Sequence, residues 1–267
     1  MLPSRPRAAG SGSRRRAVGC TRAQWGRVRT GMHSHIGARA QSGVPDTIGK
    51  MRRAGMRVAM VTGDKADTAL NIATSAALVA RHDTVVTATV EGAGSVAAGL
   101  ALLVATAAEL RGGGGGRPGP RGGGGVAVVV DDKVIDASLF CDGGAALAAV
   151  VDRASGVVCC RCRPDQKARI VGALHLHLPG ARTLAVGDGA NDVGMIEAAH
   201  VGVGIAGGES SHAANAADFS IGQFRFLQRL LLVHGHWNYR RICVIVMLSL
   251  YKSVRRALAR PRLHPRG

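Results

Sequence analysis

Several short apolar runs in this sequence each end in a polar, glycine-bearing loop and are followed by a helix-periodic segment. "RTLAVGDG" runs into "ANDVGMIEAA" (182–199), and "MRVAMV" (56–61) leaves through Thr62-Gly63-Asp64 into a helical pattern over 66–79. "GVVCCR" (156–161) leads to "RPDQKARIVGALHLHL" (163–178), and "VGVGIAG" (201–207) reads as a further short strand. Fully apolar strands alternating with helices require a mostly parallel sheet covered on both faces, so the fold class is α/β. Pro45 suits a first helical turn, Ile48 and Met51 follow at helical spacing, and Gly55 marks the stop.

The remaining segments divide the chain. Residues 1–43 hold nine arginines and no acid, and are expected to form a disordered tail, with an organelle-targeting role open. Residues 44–232 form the folded unit. Within it, 80–125 carries two glycine runs around "RPGPR" and reads as a flexible insertion. "VAVVVDDKVID" (126–136) reads as a strand and a hairpin turn, and "AALAAVVDRA" (145–154) as a helix. Ile242–Leu250 is apolar but far short of the roughly 20 residues that cross a bilayer. Trp237, Tyr239, Arg240 and Arg241 just before it resemble an interfacial anchor. The expectation is the start of a truncated membrane helix over 233–253, with an amphipathic surface helix as the alternative, and a basic tail over 254–267.

Charge placement argues against nucleic acid as a partner. The formal net charge is +18, yet all 17 acids lie between Asp46 and Asp218, where 16 bases face them. The excess therefore sits in the two ends of the chain and not on a folded basic face. Cys159 and Cys162 form a C-x-x-C with no second pair at zinc spacing, so buried reduced thiols are expected.

In open α/β sheets, sites form at the carboxyl ends of strands. Thr62-Gly63-Asp64 and Asp188-Gly-Ala-Asn191-Asp192 both emerge there. Carboxylates and an amide without soft ligands suit Mg²⁺, and glycines at 187 and 189 are expected to let the loop turn sharply. Lys167, near the start of a helix after a strand, faces the same edge. A point charge about 4 Å from a phosphoryl oxygen is worth on the order of 4 kcal/mol at an effective dielectric near 20. Gly202-x-Gly204-x-x-Gly207 matches a dinucleotide pattern but lies within a strand. Gly49-Lys50 is followed by Met, so no P-loop is present, and Ala190 blocks an EF-hand reading.

In order, "MVTGDKADTALNIA", "CCRCRPDQK" and "LAVGDGANDVGMI" resemble the phosphorylation domain of P-type ATPases, a branch of the haloacid-dehalogenase-like fold. "AHVGVGIAGGES" and "FRFLQRLLLVHGHWNYRRIC" are similar to the phospholipid flippase (P4) subfamily, although "ESSHA" (209–213) departs from its usual residues. The resemblance implies that Thr62, Gly63, Asp64, Arg161 and Lys167 contact phosphates of ATP. It also implies that Asp188 binds Mg²⁺, with Asn191 and Asp192 completing that site. A phospholipid membrane, membrane localisation and a small accessory membrane subunit follow from the same source.

The family's phosphorylated aspartate lies in an Asp-Lys-Thr-Gly-Thr segment, which this sequence lacks. Asp132-Lys133 is followed by Val-Ile and falls between the wrong blocks. The chain is therefore expected to be part of a flippase, inactive alone and short of sheet strands. Two other readings are a soluble dehalogenase-type phosphatase, which needs an Asp-x-Asp pair absent here, and a non-catalytic binding partner of a full-length pump.

Overall fold

A computed structural model describes residues 27–32, 42–112, 125–206 and 211–259. Among these residues, eight strands form one sheet: β1 (Arg27–Met32), β2 (Arg57–Val61), β3 (Thr84–Ala88), β4 (Val126–Asp131), β5 (Gly156–Cys160), β6 (Ala181–Gly187), β7 (Val201–Ile205) and β8 (Phe219–Ile221). Their order is β3-β4-β5-β2-β1-β6-β7-β8, and every pairing is parallel. The α/β class with a parallel sheet is as the sequence leads one to expect.

Parallel strands buried on both faces read as unbroken apolar runs. All five residues of β5 are buried, and so are all of β4 beyond Val126. Alternate residues serve opposite faces. Val61, Val128, Val130 and Cys159 pack on one side with Leu103, Ile135, Leu147 and Ile170. Met60, Val129, Val158 and Val186 pack on the other with Ile48, Met51, Phe224 and Leu227.

The first face is covered by α4 (Val96–Gly112), α5 (Asp132–Cys141), α6 (Ala145–Arg153) and α7 (Pro164–His177). The second is covered by α1 (Val44–Arg53), α2 (Ala66–Ser75) and the short α10 (Phe226–Arg229). In α1, Pro45 sits in the first turn and Val44, Ile48 and Met51 are buried along one stripe. Short helices α3 (Val90–Ala93), α8 (Val193–Ala198) and α9 (His212–Ala216) complete the connections. A Cβ on Gly202 would lie 2.6 Å from Ile196 Cγ2, and one on Gly204 2.5 Å from the Ala213 oxygen. These two glycines let α8 and α9 press onto β7, so no dinucleotide site is needed to explain them.

Four expectations are corrected. Residues 27–32, assigned above to a tail, are β1, the strand between β2 and β6, with Met32 in register with Met60 and Val186. The interior edges of β2 and β6 carry backbone groups that require a partner, and this segment supplies them. The rest of 1–41 lies outside the described residues, as does 113–124 with most of the glycine-rich stretch. The proposed insertion 80–125 nevertheless contains β3, α3 and the 17-residue α4. Asp132-Lys133 opens α5 in place of a hairpin: Asp131 Oδ1 caps the helix by accepting the Val134 N–H at 3.0 Å. Finally, the last helix, α11 (His236–Ala259), runs through the start of the proposed basic tail. Among the described residues, no single helix is long and apolar enough to cross a membrane.

Candidate active site

The strand order reverses at β1, and the crevice at such a point opens at the carboxyl ends of its neighbours. β2 and β6 flank β1, so Thr62 and Asp188 leave the sheet on the same edge, two strand spacings or roughly 10 Å apart.

The loop after β2 is tied to the one after β5. Thr62 N–H donates to the Cys159 oxygen (2.8 Å), Cys162 N–H to the Thr62 oxygen (2.9 Å) and Arg161 N–H to the Asp64 oxygen (2.8 Å). Thr62 is buried, and its hydroxyl donates to Asp64 Oδ2 at 2.9 Å while accepting the Asp64 N–H at 3.2 Å. Both partners fix the hydroxyl rotor. Gly63 is under no steric demand, since the nearest atom to a Cβ there would be 3.8 Å away.

Lys167 is placed by the start of α7. Pro164 opens the helix, and Gln166 Oε1 accepts the Arg163 N–H at 2.9 Å while its Nε2 donates to the Asp132 oxygen at 3.1 Å. That buried amide pins α7 to α5, and the sequence reading overlooked it; glutamine three residues after the helix cap was the available signal. One residue on, the Lys167 side chain is 3% exposed and its Nζ lies 3.0 Å from Asp192 Oδ1.

Asp192 is fully buried at the end of a 3-10 turn, Ala190–Asp192. Its second oxygen accepts the N–H groups of Asp188 (3.3 Å) and Gly189 (3.4 Å). Gly187 makes this possible through space and not through torsion, because a Cβ there would lie 2.4 Å from Asp192 Cβ. Neither Gly187 nor Gly189 has a positive φ, which corrects the expected reason for both glycines. Asp188 is half-buried and Asn191 exposed on the same turn.

The expectation that Asp192 shares a metal with Asp188 thus meets a competing geometry, in which Lys167 and two backbone amides engage both Asp192 oxygens. Among the described residues, no group of three or more His, Cys, Asp and Glu is placed to hold a metal. What is present is a hard-oxygen donor set suited to Mg²⁺ that arrives with phosphate and keeps several waters. Arg161 is not drawn into the cluster. Its Nη2 pairs with Glu91 Oε1 of α3 at 2.6 Å, on the β3 side of the sheet, and that hydrogen bond raises its pKa.

The C-x-x-C thiols are structural. Burial pushes Cys159 and Cys160 up to about 12 and raises Cys162 as well, so none is a ready nucleophile or metal ligand. Asp132-Lys133 follows β4, which is three strands from β1.

Residues 166–223 match the haloacid dehalogenase-like hydrolase family, and 214–259 match the phospholipid-translocating P-type ATPase C-terminal family. The chain is 37% identical over 214 residues to the probable phospholipid-transporting ATPase DNF3 of Saccharomyces cerevisiae, covering 80% of this chain and 12% of that protein. It is 39% identical over 229 residues to the probable phospholipid-transporting ATPase 4 of Arabidopsis thaliana, covering 80% and 18% respectively. It is 38% identical over 231 residues to the human phospholipid-transporting ATPase VB, covering 81% and 16%. The chain thus spans less than a fifth of the length of these relatives. Over the part that aligns, it belongs to the phospholipid-transporting P-type ATPase family and carries that family's haloacid-dehalogenase-like fold.

Proposed function

We propose that this chain forms the Mg²⁺- and phosphate-binding edge of an ATP-driven phospholipid translocase. The observation that carries this reading is the buried Lys167–Asp192 pair, which ties the α7 ammonium to the very turn that presents Asp188. Asp188 is the residue that would hold Mg²⁺, and the ion, when bound, offsets charge on phosphate oxygens. Asp192 acts as a positioning residue for Lys167 and for the 188–189 backbone. The Thr62 hydroxyl, held by Asp64, and the Lys167 ammonium provide a donor and a positive charge for a phosphoryl group. Gly63 and Asn191 border the same edge, and Arg161 would join only by leaving Glu91. A phospholipid membrane and an accessory membrane subunit are the partners this reading adds.

The sequence holds no Asp-Lys-Thr-Gly-Thr segment, so no covalent phosphoenzyme is expected and ATP turnover by this chain alone should be undetectable. Calorimetric titration with Mg²⁺ and a non-hydrolysable ATP analogue tests the binding half. Saturable binding that Asp188→Asn weakens about tenfold or more supports the reading. No binding by the folded wild-type chain overturns it. Release of phosphate from a model phosphate ester would instead favour the soluble phosphatase.

A further inference from the structure

Arg161 leaves β5 with a φ of 56°, a left-handed backbone that is uncommon and costly for any residue but glycine. Three hydrogen bonds hold it there: Thr62 N–H to the Cys159 oxygen, Arg161 N–H to the Asp64 oxygen and Cys162 N–H to the Thr62 oxygen. They weld residues 159–162 to the loop that carries the Thr62 hydroxyl. Glycine would adopt this conformation without strain, so the reason for an arginine here lies in its side chain.

That side chain is taken up by the single turn of α3. Asp131, at the end of β4, accepts the Val90 N–H on Oδ2 at 2.6 Å while its Oδ1 caps α5, and the Thr89 hydroxyl oxygen accepts the Gly92 N–H at 3.1 Å. Thr89 and Asp131 are both buried, which fixes the root of the turn. The contact at its tip is open to water: Arg161 Nη2 meets Glu91 Oε1 at 2.6 Å with the two side chains 39% and 69% exposed. Exposed ion pairs contribute little net stability, so this one opens easily. β5 lies one strand spacing, about 4.8 Å, from β2 and two from β3. A guanidinium that meets a carboxylate across β4 on one side has the reach to meet an anion over the Thr62 loop on the other.

We propose that Glu91 is an internal stand-in for a phosphate. Its carboxylate occupies the Arg161 guanidinium, holds it off the crevice like a latch, and releases it when a phosphate competes. This rests on the reading of that edge as a phosphate site and adds an autoinhibitory contact to it. No covalent bond changes: the guanidinium exchanges one charge-assisted partner, a carboxylate oxygen, for another, a phosphate oxygen. A ligand that needs Arg161 free binds only the open fraction of molecules, so its apparent affinity is lowered by that fraction.

The test is calorimetric titration of the full chain with Mg²⁺ and a non-hydrolysable ATP analogue, comparing wild type, E91Q, R161Q and E91Q/R161Q. Glu91 is exposed, so E91Q should fold, with circular dichroism as the check. E91Q should bind about two- to fivefold tighter than wild type, the range that opening an exposed ion pair allows. R161Q should bind more weakly than E91Q, and E91Q/R161Q should match R161Q, because the latch acts only through the guanidinium. Unchanged or weaker binding by folded E91Q overturns the proposal, and Glu91 then serves only to anchor α3. Tightening that survives in E91Q/R161Q, or R161Q as tight as E91Q, also overturns it, since loss of a negative charge near an anionic ligand would then suffice. D188N separates this outcome from the reading beneath it. If D188N weakens binding about tenfold while E91Q changes nothing, the site stands and the latch falls; if neither wild type nor E91Q binds, both fall.

Discussion

Lys167 Nζ and Asp192 Oδ1 lie 3.0 Å apart with side chains 3% and 1% exposed, an ion pair joining the second turn of α7 to the turn after β6. Removing one member of such a buried pair leaves an uncompensated charge, which costs about 3–5 kcal/mol. K167M and D192N should each lower stability on that order in urea unfolding. The K167M/D192L double variant should cost clearly less than the two singles summed, giving a coupling energy above about 1 kcal/mol. Additive effects would show that the two groups are held independently.

Gly187 and Gly189 flank Asp188 but should respond differently to alanine. A Cβ at 187 would meet Asp192 Cβ at 2.4 Å, whereas at 189 its nearest atom would be 3.9 Å away. G187A is expected to lose about 1–3 kcal/mol through overpacking and to weaken Mg-ATP analogue binding by displacing Asp192. G189A should stay close to wild type in both unfolding and calorimetry.

At the opposite end of β6, the Thr183 hydroxyl lies 2.5 Å from His175 Nε2 and 2.9 Å from His200 Nδ1, and the two rings are 4.1 Å apart. Burial, and then the neighbouring His200, hold the His175 pKa below its ordinary value. Above about pH 6.5 the imidazole is neutral in both folded and unfolded chains and costs nothing. Below that pH the unfolded chain takes up a proton that the folded one resists, so stability falls until the lowered folded pKa is reached. Melting temperature should therefore drop on acidification through pH 6.5, and H175F should flatten that part of the profile.

Thiol labelling should divide the cysteines. Cys141 and Cys243 are exposed and should react with a maleimide at once, while Cys159, Cys160 and Cys162 should react only on unfolding. Rapid native labelling of any of the three would contradict the packing of β5 against its neighbours.

Legibility followed how locally each feature is determined. β2, β4, β5 and β6 could be read because both of their faces are buried, which leaves an apolar run in the sequence. β1 could not: Arg-Val-Arg-Thr has no such run, and its place is set by pairing with residues 28 and 154 positions away. Helix α4 was hidden by an alanine- and glycine-rich composition with weak periodicity. Its Gly99 makes sense only beside Val134, whose Cγ2 would lie 2.6 Å from an added Cβ. At the site, the oxygen-rich edge was visible from residue types, but the division of labour between Asp188 and Asp192 was not. It depends on Lys167 arriving from a different helix, and a spacing pattern does not record which carboxylate that ammonium meets. The Arg161–Glu91 pair was likewise not legible, because Glu91 lies 70 positions away.

Among the described residues, β1 is the only strand that touches both β2 and β6, so the sheet divides along it into a four-stranded and a three-stranded wing. Were Arg27–Met32 to peel away, Thr62 would remain with one wing and Asp188 with the other. The α7 crossover would still carry Lys167 against Asp192. Loss of that single central ribbon would therefore pull the crevice apart at its middle while sparing its internal ion pair, and binding could fade long before the chain unfolds.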